Sequence, residues 1–167
     1  MRAFLAGVVI GIVMVPATLF LFIWLGYAPV STKSAPLPFE RKLAGMALDK
    51  RIDKEAPKDS PMQPTEENLL AGAKIYIENC SVCHGTTTES ETTIAKGMYP
   101  NPPPLLHGKG VTDDPAGETY WKVANGIRMT GMPGFSGSLK EEQIWQVSEL
   151  LATADKLPQS VKDELAK

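Results

Sequence analysis

The chain has 167 residues, enough for one ordinary domain with an extension but not for two full domains. Its formal net charge of −2 carries no strong excess of either sign, and no nucleic-acid partner is expected. The sequence does exclude a purely soluble reading of its first part.

Ala3 to Pro29 reads AFLAGVVIGIVMVPATLFLFIWLGYAP, without one charged residue. About 20 apolar residues cross the hydrocarbon core as a helix, so residues 1–28 are expected to form a transmembrane anchor. A removable signal peptide would have a shorter apolar stretch, about 7–15 residues, and a small-x-small cleavage site. Here Trp24, Leu25 and Tyr27 occupy the end of the run. Pro16 is tolerated in a spanning helix, and Trp24 and Tyr27 suit the membrane interface. Charge orients the segment weakly. Arg2 lies on one side, Lys33, Arg41 and Lys42 on the other, which by count alone would put the C-terminal part inside.

Residues 29–64 read as a linker, punctuated by Pro29, Pro36, Pro38, Pro57, Pro61 and Pro64. That composition gives a semi-extended spacer rather than a packed core. Within it, over about 39–53, Phe39, Leu43, Met46, Ala47 and Lys50 share one face at helical spacing. They predict a short amphipathic helix that lies on a membrane surface, docks on the domain or stays solvated.

The compact domain is expected over 65–158, with 159–167 as a tail. Thr65 can cap a first helix to about Asn79, with Leu69, Ala73, Tyr76 and Ile77 on one face and Gly72 in the middle. An interior glycine points to close approach of another helix. After CSVCHG come a polar loop and MYPNPPPLLHG, whose prolines favour extended backbone. Asp114 is expected to cap a second helix, with Pro115 at its first position, closed by Asn125-Gly126. IRMTGMPGFSG is a broken loop. Ser138 and Glu141 match a capping box for the last helix. Ile144, Trp145, Leu150 and Leu151 are its buried candidates, with Val147 and Ser148 at the edges. No sustained strand pattern or repeat occurs, so the fold class is all-α. So few helices make a small core, marginal on burial alone, and something else should fill the middle.

Both cysteines, Cys80 and Cys83, and one of two histidines, His84, fall in the five residues CSVCH. Cys-x-x-Cys-His is the attachment pattern of c-type haem. Two thiols add to two vinyl groups on one porphyrin edge, and one turn of backbone bridges that gap. His84 is then held where its imidazole can bind iron. A haem also supplies the missing apolar core. A zinc site would need a fourth ligand, for which only His107 is available. A thioredoxin-like pair would need a βαβ setting, and a disulfide in an exported domain is the remaining alternative. The second axial ligand should be a thioether or another imidazole. Met129, Met132, His107 and Met98 are the candidates. Met132 is preferred, because Gly131 and Pro133 of GMPGF break the helix and allow close backbone approach.

Taken together, Gly72 and Tyr76, CSVCHG, YPNPPPLL, TYWKVANGIRMTGMPGF and QIWQVSELL resemble a class I c-type cytochrome over about residues 66–155. The resemblance implies a small cytochrome c fold, three to four helices around one haem. It implies one covalent haem c, thioether links from Cys80 and Cys83, and iron bound by His84 and Met132. It implies that the first and last helices cross near Gly72, with Tyr76 and Trp145 near the contact. A carbonyl of Pro103 or Pro104 would take the second imidazole hydrogen bond. The anchor, the spacer and the polar stretch TTTESETTIAK at 86–96 lie outside its motifs.

Covalent haem attachment takes place outside the bacterial cytoplasm. The expected location is therefore the cytoplasmic (inner) membrane, single-pass, with the haem domain on the periplasmic side. With both axial positions filled, the expected work is one-electron transfer in a respiratory chain, between a redox donor and an acceptor, and not enzymatic turnover. The protein would be a tethered carrier, or else a fixed electron-entry subunit of a larger membrane oxidoreductase. An open sixth position would instead make it a haem sensor or enzyme.

Overall fold

The computed structural model describes residues 1–107 and 114–166. Among these residues there are eight α-helices, one 3₁₀ turn and no strand. The chain divides into two compact units, Met1–Glu40 and Arg41–Lys167.

The first unit is built on α1, Arg2–Trp24, which carries Pro16 inside it. Its stretch Gly7–Trp24 is long and apolar enough to cross a membrane, and none of it is buried within the chain. The stretch is apolar all round, a composition that suits a spanning helix.

The second unit starts with α2, Glu40–Glu55. The sequence left open whether its apolar face meets the domain, a membrane surface or water. Ile52 is the buried residue, with Gly45, Leu48 and Ala56 half-buried on the same side, while Leu43 and Met46 remain exposed. The expected amphipathic face therefore looks outward. Trp121 Nε1 donates to Glu55 Oε2 (3.2 Å), and the Arg41 guanidinium lies 5.3 Å from the Tyr99 ring centroid. A side chain on Gly117 would overlap the Pro57 carbonyl, so the chain after α2 passes against the start of α6.

The core is formed by α3 (Glu66–Asn79), α6 (Ala116–Asn125), α7 (Glu141–Ala152) and α8 (Gln159–Leu165). Helix α3 packs on α7 and α8, and α6 packs on α7. Thr65 Oγ1 accepts the Asn68 N–H at 3.4 Å, the expected cap. At Gly72 a methyl group would overlap the carbonyl oxygen of Gln146 and crowd Leu150, so α3 and α7 cross there backbone to backbone. Leu69, Ala73 and Tyr76 from α3 meet Ile144, Val147 and Leu150 from α7 in one cluster. Trp145 turns the other way and stacks on Tyr120 of α6, centroids 4.2 Å apart.

Four local expectations are corrected. Asp114 does not cap α6; Pro115 occupies that position and Asp114 pairs with Lys122 instead. Helix α7 begins later than Ser138 allows: Lys140 is its cap residue and donates its backbone N–H to Gln143 Oε1 at 2.9 Å. Val147 and Ser148 are fully buried rather than edge residues, because α7 is covered by both α3 and α6. The segment taken as a tail folds as α8, with Val161 and Leu165 in the core and Ser160 bonded to Glu66; its last residue, Lys167, lies outside the described residues.

Candidate haem site

The motif follows α3 without a break. Cys80 is the C-cap of α3, and Ser81–His84 form one further turn, α4. Both the Cys83 and His84 N–H groups bond the Cys80 carbonyl, at 3.0 and 2.9 Å. Gly85 then ends the turn with φ +78°, a conformation that favours glycine, and Tyr76 Oη donates to its carbonyl at 2.9 Å. The buried Tyr76 phenol, its pKa raised by burial, thus clamps the end of the motif to the α3–α7 core.

The polar stretch 86–96 is a brace for this turn, which the sequence did not reveal. Thr92 Oγ1 donates to the Val82 carbonyl (2.8 Å), Thr86 N–H bonds the Glu89 carbonyl (2.8 Å), and Ala95 of the short α5, Thr93–Lys96, is buried. Thr92 Oγ1 also accepts the Ala95 N–H at 3.1 Å, capping α5.

Cys80, Cys83 and His84 open onto a cavity whose other walls include Met98, Pro103, Leu105, Ile127, Met132 and Phe135. The cavity holds about 160 Å³ and opens to solvent on one side. Neither thiol is in a disulfide. Burial, and secondarily the neighbouring Cys83, pushes the Cys80 thiol up to about 12. Burial lowers the pKa of His84, opposed by its hydrogen bond to Pro103.

That hydrogen bond decides the open question of the proline loop. His84 Nδ1 lies 2.8 Å from the Pro103 carbonyl, not that of Pro104. A carbonyl only accepts, so Nδ1 carries the proton and the Nε2 lone pair is left for another partner.

Met132 reaches the same cavity because its loop is pressed onto the end of α6. Gly126 has φ +68°, and a side chain there would overlap Pro133 and Gly134. Phe135 N–H bonds the Val123 carbonyl (2.9 Å), Ser136 N–H that of Ala124 (3.2 Å), and Ile127 N–H that of Met132 (3.2 Å). Met132 packs on the core, whereas Met129, at φ +63°, is 92% exposed and absent from the cavity wall. His107 lies outside it too, its Nε2 bonded to the Thr86 carbonyl. Met98 does line it, and its methyl group fills the space a side chain on Gly131 would need.

These residues fit a haem. Two thiols and a neutral imidazole stand on one turn, a thioether reaches the same apolar space from a separate loop, and hydrocarbon and proline rings form most of the remainder. Among the described residues no cluster of three His, Cys, Asp or Glu is arranged to hold a bare metal ion.

Fold and site together define a class I c-type cytochrome domain, a haem-binding electron-transfer module. The model of the family described as cytochrome c oxidase, cbb3-type, subunit III matches residues 67–151, and the chain belongs to that family. A quinohemoprotein alcohol dehydrogenase, ADH IIB of Pseudomonas putida, is 31% identical over 87 residues, 52% of this chain. The chain spans only 11% of that relative's length. A solved reducing HAO-like protein complex of Kuenenia stuttgartiensis contains a chain similar at a TM-score of 0.49 and 24% identity, over 63% of this chain and 54% of that one.

Proposed function

We propose that the protein is a membrane-tethered cytochrome c that transfers single electrons through one covalent haem c on the periplasmic side of a bacterial inner membrane. Residues 1–28 are the anchor, and the linker runs from 29 to the start of α2, which packs on the haem domain. When bound, haem c supplies the one-electron ferric/ferrous couple. Cys80 and Cys83 would hold it through thioethers, His84 Nε2 and Met132 Sδ would bind its iron, and Pro103 holds the imidazole in the tautomer that ligation needs. Leu105 and Phe135 help exclude water, and a sulfur ligand favours the reduced state. The observation carrying this reading is that Cys80, Cys83, His84 and Met132 line one apolar cavity with His84 Nδ1 already bonded.

A second reading, a fixed electron-entry domain of a larger oxidoreductase, is favoured by the length of the alcohol dehydrogenase relative, most of which lies outside the matched region. Co-purification of the chain in a stable large membrane complex would select it.

The test is the visible spectrum of the haem-loaded chain in both oxidation states, for the natural sequence and Met132→Ala. A low-spin spectrum with a methionine–iron charge-transfer band, lost in the variant, is expected. Survival of the band in Met132→Ala would move the ligand to Met98, which shares the cavity wall. Equilibrium binding of carbon monoxide to the reduced natural protein would mean an open site, and the electron-carrier reading would fall.

A further inference from the structure

Helix α2 has two apolar sides, and the haem domain uses only one. At about 100° per residue, Gly45, Leu48, Ile52 and Ala56 gather on one side; these are the buried and half-buried positions. Leu43, Met46 and Ala47 gather on the opposite side, and Leu43 and Met46 are 56% and 53% exposed. Phe39, one residue before the helix, is 73% exposed. One turn further along the outward side stand Lys50 and Lys54, with Lys42 at its border.

We infer that the outward face of α2 lies on the surface of the lipid bilayer and holds the haem domain there in one orientation. The inference rests on the reading of α1 as an anchor. Three observations choose lipid as the occupant. The first is distance along the chain. Only the 15 residues 25–39 separate α1 from α2, a reach of at most roughly 50 Å. A tether that short gives an effective concentration on the order of millimolar, so a weakly binding face suffices.

The second is charge. Residues 29–64, on the same side of the membrane as the haem domain in this reading, carry a net +2, and residues 65–167 carry −5. Anionic headgroups attract the first part and repel the second, which turns α2 toward the membrane. Lys50 is paired with Asp53 at 3.0 Å, but that pair is well exposed and its ammonium can exchange to a phosphate. The third is composition. Exposed Leu43, Met46 and Phe39 stand beside Lys50 and Lys54, apolar contacts for acyl chains next to cations for anionic headgroups.

The consequence reaches the site. On its inner side α2 is fixed to the domain through Glu55–Trp121 and Arg41–Tyr99. Tyr99 precedes Pro100 and Asn101 in the cavity wall. A helix held by lipid on one side and by these contacts on the other sets the height and tilt of the cavity above the membrane. The anchor alone confines encounters to the membrane plane; the face of α2 would add a fixed orientation of the cavity to them.

The experiment uses the full haem-loaded chain in vesicles of phosphatidylglycerol and phosphatidylethanolamine, at low protein-to-lipid ratio and in the reduced state. Nitroxides are placed singly at Leu43→Cys, Met46→Cys, Ile12→Cys in the anchor and Lys162→Cys as the aqueous reference. Collisions with oxygen, which enters lipid, are compared with collisions with a water-soluble nickel chelate. The expected result is loss of nickel collisions at 43 and 46 with oxygen collisions kept, and recovery of nickel access at 46 when Leu43→Glu is added. If 12 reads as lipid while 43 and 46 read like 162, the inference is overturned and the anchor stands. If 12 reads as water, the anchor reading falls, and lipid-like readings at 43 and 46 would still uphold the face. Shielding that appears only at high protein density would mean the face meets another copy of the chain, which also overturns it.

Discussion

Gly72 and Gly45 are both glycines inside helices, yet the same substitution should act on them with opposite sign. A methyl group on Gly72 overlaps the Gln146 carbonyl, and backbone cannot swing aside as a side chain can. Overpacking of this kind costs about 1–3 kcal/mol, against a helix-propensity gain of about 1 kcal/mol. Gly72→Ala should therefore lower the stability of the haem-loaded domain, by up to about 2 kcal/mol, read as a lower urea midpoint at unchanged slope. Gly45 in α2 has nothing within 4 Å of where a methyl would stand. Gly45→Ala should stabilise α2 by about 0.5–1 kcal/mol, visible as slower amide exchange in that helix. A loss of protection there would show that α2 is pressed closer to the domain than its open flank at Gly45 indicates. The sequence marked Gly72 as a crossing point, because an isolated helix gives no reason to keep an interior glycine. It could not separate Pro103 from Pro104, since both carbonyls follow the same kind of residue and only the fold aims one at His84. Met132 stood out from Met129 by its flanking Gly131 and Pro133, and that distinction coincides with which methionine reaches the cavity.

At the scale of elements, α8 carries more than its position at the chain end suggests. Val161 and Leu165 are 0% and 2% exposed and pack on the cluster formed by α3 and α7. Full burial of such side chains contributes about 1.5–3 kcal/mol each. A chain ending at Pro158 should then lose about 3–6 kcal/mol, a large share of the roughly 5–15 kcal/mol that holds a domain together. Guanidinium unfolding of the truncated and full haem-loaded chains reads this directly; equal midpoints would show that α8 packs without stabilising. The truncation also removes Leu165, whose carbonyl accepts from Thr87 Oγ1 (3.3 Å) just after the haem motif. The signal for α8 was present in the sequence as Leu157, Val161 and Leu165, four residues apart. Pro158 obscured it, because proline both stops one helix and opens the next. The caps of α6 and α7 were misplaced for a related reason. Asp114 and Ser138 have side chains suited to capping, but Asp114 is engaged by Lys122 and Ser138 Oγ donates to the Phe135 carbonyl at 3.3 Å. The stretch 86–96 was illegible because its order comes from contacts with the motif turn, not from a periodicity of its own.

The whole molecule is divided by charge, and that division bears on what it can dock with. From Thr65 onward there are 14 acidic and 9 basic side chains, while the first 64 residues are net basic. The matched family region, 67–151, falls within the acidic part. A field of one sign accelerates encounter with a partner of the other sign, by about 10- to 1,000-fold at low salt, and slows encounter with its own kind. At 0.1 M salt the screening length is about 10 Å, so most of this acceleration should vanish between low and high ionic strength. Stopped-flow electron transfer from the reduced chain to a basic redox protein should therefore slow as salt rises, by about tenfold or more. Transfer to an acidic redox protein should quicken under the same change. The pair of measurements separates docking from the intrinsic redox step, because salt acting on the haem alone would move both rates the same way. Rates that do not respond to salt with either partner would mean the acidic side chains lie away from the docking face, and charge would then have no part in choosing the partner.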